Sequence, residues 1–116
     1  MGSARCYTVF PGTMASFSTL TGEIDLGHAW SQVFLEIPTM TSNTQLHIQA
    51  AYTSGGTYRR VKQPPLNSST VGTNDFAIVS SATNCMVPIP SGLRYIKVEA
   101  TATVSFTASF NVICGD

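Results

Sequence analysis

Two histidines, six carboxylates and three cysteines are the groups in this 116-residue chain with chemistry to offer. His28 follows Gly27 and stands three residues after Asp25. A carboxylate beside an imidazole can orient it for general-base work, but an Asp-x-x-His spacing in a turn is weak evidence for such a pair. His47 falls among polar, alternating positions and is expected to be solvated. Glu23 and Asp25 are two residues apart, on one face of a short strand. Paired glycosidase acids face each other across a cleft at ~5–9 Å, so two carboxylates near one turn read as solvated turn residues. No serine lies in a nucleophile-elbow pattern, and no Cys-x-x-Cys or His-x-x-x-His pair offers zinc ligands. Gly55-Gly56 joins two β-prone segments and opens no helix, so it is not a phosphate-binding loop. The expectation is a protein that is not an enzyme and uses no cofactor or metal.

Binding is better served. Tyr58-Arg59-Arg60 follows the Gly-Gly turn, with Tyr58 and Arg60 on one strand face and Arg59 on the other. With Arg5 these residues hold three of the six positive charges, and Tyr and Arg are enriched where interfaces hold tightly. The plainer reading is that Arg59 only solvates one face. Trp30, the single tryptophan, lies between two elements, where it either caps one end of a core or stands out as an anchor. The candidate protein-interface residues are therefore Arg5, Trp30, Tyr58, Arg59 and Arg60.

The composition points the same way. Lys, Arg, Asp and Glu make up 10% of the chain, against a usual ~25%, and 28 Ser and Thr fill the gap. The formal net charge is zero, which is unlike a nucleic-acid binder or a membrane-surface protein. A surface with so few charges is poorly protected against association, so much of it is expected to be covered by partners. The N-terminus does not read as a signal peptide, and the uncharged runs are too polar to span a bilayer. Three widely spaced cysteines, Cys6, Cys85 and Cys114, then read as reduced, buried thiols of a protein made in the cytoplasm. A Cys6–Cys114 bridge between terminal strands is the alternative. Asn67-Ser68-Ser69 matches a glycosylation acceptor by chance.

The elements that position these groups are strands. From Ile96 to Cys114 every even residue is apolar and most odd ones are polar, the two-residue period of a strand with one dry face. At ~3.3 Å per residue this stretch would run ~70 Å, so it must fold back near Ala102–Ser105 into two strands, Arg94–Ala102 and Phe106–Cys114. Upstream, β-prone runs cover Ala4–Phe10, Ala15–Leu20, Glu23–Leu26, Gln32–Ile37, Thr44–Tyr52, Thr57–Lys62, Asp75–Val79 and Cys85–Ile89. Pro11-Gly12 is expected to stop the first, and Thr53–Gly56 to join a hairpin. Turn signals recur every ~8–12 residues, as in sandwiches and barrels. The predicted fold is all-β: an antiparallel two-sheet sandwich, jelly-roll-like, with about eight strands. Residues 1–12 read as an N-terminal segment, an arm in one reading, and residues 13–116 as a single domain.

Taken in order, Gly22–Gly27, Val33–Pro38, the hairpin Ser54–Val61, Arg94–Thr101 and Phe110–Cys114 resemble the capsid cement or decoration proteins of tailed-bacteriophage heads, over roughly residues 22–114. The resemblance is a pattern of strands and carries no catalytic residue. It implies a β-sandwich protomer that forms a homotrimer, sits on the virion where major capsid protein subunits meet, and stabilises the expanded shell, without nucleic-acid or membrane partners. The alternative is a glycan-binding β-sandwich module of a phage virion for host attachment, with Trp30, Tyr52 or Tyr58 as sugar platforms.

Overall fold

The computed structural model describes residues 7–40, 45–62, 77–78, 84–104 and 106–116. Among them are nine strands: β1 (Thr8–Met14), β2 (Ile24–Asp25), β3 (Gln32–Ile37), β4 (Leu46–Ala51), β5 (Arg59–Arg60), β6 (Ala77–Ile78), β7 (Cys85–Pro88), β8 (Tyr95–Ala100) and β9 (Ala108–Gly115). They form two antiparallel sheets. The first runs β1-β9-β3-β7, and the second runs β2-β8-β4-β5 with β6 also on β4.

The pairing has a simple logic. With β6 set aside, β1 pairs β9, β2 pairs β8, β3 pairs β7 and β4 pairs β5, all antiparallel. This is one long two-stranded ribbon with its closed end at the β4–β5 hairpin. Wrapping the ribbon on itself adds the contacts β3·β9 and β4·β8 and yields two facing sheets. That is the jelly-roll arrangement of the two-sheet sandwich.

The dry faces meet in between. Leu35, Ile37, Phe110, Val112 and Cys114 come from the first sheet and Ile24, Leu46, Ile48, Ile96 and Val98 from the second, all buried. The even residues are buried within β8 and β9, while Ala102 between them is exposed, and the two strands do not pair with each other. β8 lies in the second sheet and β9 in the first. The chain between them therefore arches from one sheet to the facing one. Val104 plugs that arch at 1% exposure, and its amide donates to the carbonyl of Ser18.

β1 runs straight through Pro11-Gly12, where a stop was expected. Among the described residues it is an edge strand, paired with β9 alone, and an edge is where proline is tolerated, because its missing N–H is not needed by a neighbour. The expected domain boundary after residue 12 falls inside this strand. The run Ala15–Leu20 is a turn in place of the expected strand, with Phe17 at φ 62°. Thr19–Thr21 then lies along β8: Ala100 N–H donates to Thr19 O, and Val98 N–H to the buried Thr21 hydroxyl at 3.0 Å. Cys114 is a free, buried thiol and Cys85 a free, half-buried one, so no bridge holds the last strand; Cys6 lies outside the described residues.

Candidate protein interface

The two outward sheet faces differ in kind. Half of the chain's twelve charged residues lie on or beside the outer face of the second sheet: Glu23, Asp25, Arg60, Arg94, Lys97 and Glu99. Four of them pair with one another. Arg60 binds Glu99 through Nε and Nη2, both at 2.8 Å, and Arg94 Nε binds Asp25 Oδ1 at 3.0 Å. Lys97 Nζ sits 4.4 Å from the centre of the Tyr58 ring. The Arg60 fork is the main reason that the Glu99 carboxyl is held down at about 2.

Glu23 anchors the β4–β5 hairpin to β2. Its carboxylate accepts from Ser54 Oγ at 2.6 Å, from Gly55 N–H at 2.8 Å and from the Tyr58 hydroxyl. Those bonds, Ser54 first, hold Glu23 below the ordinary carboxylate range. Burial first, and then the bond to Glu23, push the Tyr58 phenol up.

The first sheet is the opposite. Within its four strands Glu36 is the only charged residue, and Asn111 Nδ2 donates to Glu36 Oε1 at 2.8 Å. Register aligns Val9 with Ile113, Ile113 with Phe34 and Phe34 with Pro88. These four side chains form one apolar row crossing the whole outer face. Val9 is 53% exposed, and Met86, one register step along β7, is 51% exposed. Tyr7 continues the patch: its ring lies so close over Gly115 that a Cβ there would come within 2.7 Å of it. At the far end an open cleft of about 350 Å³, lined in part by Glu36, Pro38, Cys85, Met86 and Ser109, indents the same face.

This face is the candidate interface, and residue-type reasoning missed it. The signal was present in β1, β3 and β9, whose solvent-facing positions Val9, Phe34 and Ile113 are apolar where an exposed strand face normally alternates to polar residues.

The residues singled out from the sequence fall elsewhere. Trp30 is half-buried and packs on the core. Its Nε1 donates to Leu26 O at 2.7 Å, its ring stacks on His28 at 4.0 Å and meets Phe10 edge-on. It caps one end of the sandwich. Tyr58 and Arg60 are tied into the charged face just described, Arg59 is exposed at the edge of the second sheet, and Arg5 lies outside the described residues.

Comparison with known families, characterised proteins and solved structures finds no match to this chain. Function must therefore be argued from the faces themselves.

The groups considered for chemistry do not converge. Asp25 accepts from Gly27 N–H and Arg94 rather than from His28. His47 faces outward opposite Glu99 as expected, yet it is buried at 6% exposure, with Nδ1 unpartnered. Among the described residues no three His, Cys, Asp or Glu gather in one place.

Proposed function

We propose that the protein is a non-enzymatic structural protein of a phage virion, a homotrimeric cement or decoration protein that binds where major capsid protein subunits meet. The carrying observation is the outer face of the first sheet, with its row Val9–Ile113–Phe34–Pro88 and a single charge. Strands ~4.8 Å apart and ~3.3 Å per residue make this face ~19 Å by ~23 Å. That is ~440 Å² in projection, about half of the ~800 Å² per partner of a standard interface. A face with one charge loses little by desolvation when covered, whereas the paired charges opposite keep the other face at home in water. The jelly roll is itself a fold of viral capsid domains and of lectins, which supports the reading as a fold-level analogy only.

Such a protein acts by mass action. A ligand that binds only the assembled shell stabilises it by RT ln(1 + [L]/Kd), and repeated copies multiply modest contacts. Light scattering on the purified protein is expected to give a mass three times that of the chain, and the trimer is expected to cosediment with expanded capsids. A protein that stays monomeric at high concentration and ignores capsids overturns the reading.

A further inference from the structure

The β4–β5 hairpin and the turn before β8 enclose an open cleft of about 410 Å³ on the margin of the second sheet. We propose that this cleft binds a sugar bearing one carboxylate, of the hexuronic acid kind, with Arg59 taking the acid and Tyr52 stacking on the ring. The proposal goes beyond the capsid reading and does not rest on it.

The charge arithmetic selects a monoanion. Three arginines line the cleft, Arg59, Arg60 and Arg94. Arg60 is committed to Glu99 and Arg94 to Asp25. Arg59 is exposed, and its guanidinium makes no hydrogen bond or ion pair among the described residues. One guanidinium is thus left with its fork open, and that fork matches a planar carboxylate through two parallel hydrogen bonds. A dianionic phosphate would call for a second uncommitted cation, which the described residues of the cleft do not supply.

The remaining walls select the ring. Tyr52 is fully exposed, at 103% of its reference area, and it lines the cleft beside Arg59. An aromatic ring held in water presents an apolar plate, and the C–H face of a pyranose is its natural cover. The floor is aliphatic, made of Ala50, Val61 and Leu93, while the exposed Thr57 hydroxyl stands at the rim for a sugar hydroxyl. The volume lies in the ~300–1,000 Å³ range of small-ligand sites, enough for one sugar ring. The supporting loops are fixed: Glu23 holds the hairpin, and Gly92 N–H donates to Trp30 O on the other wall. The site is therefore formed before the ligand arrives.

The test is an amide chemical-shift titration of the whole protein with D-glucuronate, D-glucose and N-acetyl-glutamate amide. Glucuronate is expected to shift residues 50–52, 59–61 and 92–94 with a Kd of about 1–10 mM. Glucose and the glutamate derivative are each expected to bind at least tenfold more weakly. Arg59→Gln and Tyr52→Ala, both at exposed positions, are each expected to weaken glucuronate at least tenfold with the remaining spectrum unchanged. No shift at about 50 mM glucuronate, or glucose binding as well as glucuronate, overturns the proposal. Equal binding of the glutamate derivative also overturns it, and would make the cleft a socket for an acidic protein side chain.

Discussion

Arg60 forks onto Glu99 across the outer face of the second sheet, Nε to Oε1 and Nη2 to Oε2, each at 2.8 Å. The pair spans from β5 to β8 over β4, and Gln49 of β4 donates to the same Glu99 oxygen at 2.9 Å. It therefore ties the short edge strand to the middle of its sheet. Glu99 titrates at about 2 in the fold against 4.5 for an ordinary glutamate. A depressed acid stabilises the fold above its unfolded value and loses that contribution as pH falls through the folded one. Arg60→Ala is expected to lower stability at pH 7 by on the order of 1 kcal/mol, since the pair is partly solvated. The gap to the parent protein should close as pH falls from about 4.5 toward 2. Urea midpoints at a series of pH values check this; a gap that is constant with pH refutes the assignment.

Phe110 is the largest fully buried side chain among the described residues, at 0% exposure within β9. Its strand lies between β1 and β3, so a cavity there has packed neighbours on every side. Phe110→Ala is expected to cost about 3–5 kcal/mol, a large share of the ~5–15 kcal/mol that holds a domain of this size. Met86→Ala, on the exposed outer face of the same sheet, should stay within about 0.5 kcal/mol. Denaturant unfolding of both variants measures the contrast.

Periodicity made the sandwich legible, and local signals could not reach what lay beyond it. β3 spans the run from Gln32 to Ile37 that its β-formers mark out, and the even residues of β8 and β9, Ile96 to Ala100 and Ala108 to Cys114, all point inward. That the same stretch arches between sheets was hidden, because parity looks alike in a hairpin and in an arch. Pro11 misled for a related reason: whether proline ends a strand depends on whether that strand lies at an edge, which is a property of the sheet. At the site level, Tyr58 and Arg60 looked available because their partners Glu23 and Glu99 are more than thirty residues away in sequence. The apolar outer face needed the register of four strands before Val9, Ile113, Phe34 and Pro88 formed one row.

Cys114 and Cys85 offer a direct probe of the core. Burial first, and the nearby Asp116 second, push the Cys114 thiol up to about 11. The thiolate is the reactive form, so Cys114 is doubly protected, while Cys85 is half-buried beside the open cleft of the first sheet. At pH 8, iodoacetamide should modify native Cys85 and leave Cys114 on the order of a hundredfold slower. Denaturant should bring the two to similar rates. Mass spectrometry of the labelled peptides reads this out, and rapid native labelling of Cys114 contradicts the burial.

Glu23 holds the hairpin that carries Tyr52 and Arg59. Glu23→Gln keeps the shape but removes the charge that accepts from Ser54, Gly55 and Tyr58. The Gly55 amide is expected to exchange with solvent faster in the variant, while the amides of β9 keep their protection, since local opening need not involve the core. Hydrogen exchange followed by NMR separates the two. Because Glu23 is held below the ordinary carboxylate range, the parent protein should show the same loosening only once pH drops under that range.

Val9 gives the sharpest test of the proposed interface. It is 53% exposed and opposite Ile113 in register, so Val9→Asp places a charge in the apolar row without touching the core. Folding stability should change by no more than about 0.5 kcal/mol. Association should suffer far more, because burying an unpaired carboxylate in an interface is costly. If the parent protein assembles through this face, the variant is expected to run as a monomer in light scattering at the same concentrations, with an unchanged thermal midpoint at matched monomer content. Lys97→Asp on the opposite face, where Lys97 lies over Tyr58, should leave the assembly intact. If the Lys97 change disrupts assembly and the Val9 change does not, the partner lies on the charged side of the sandwich.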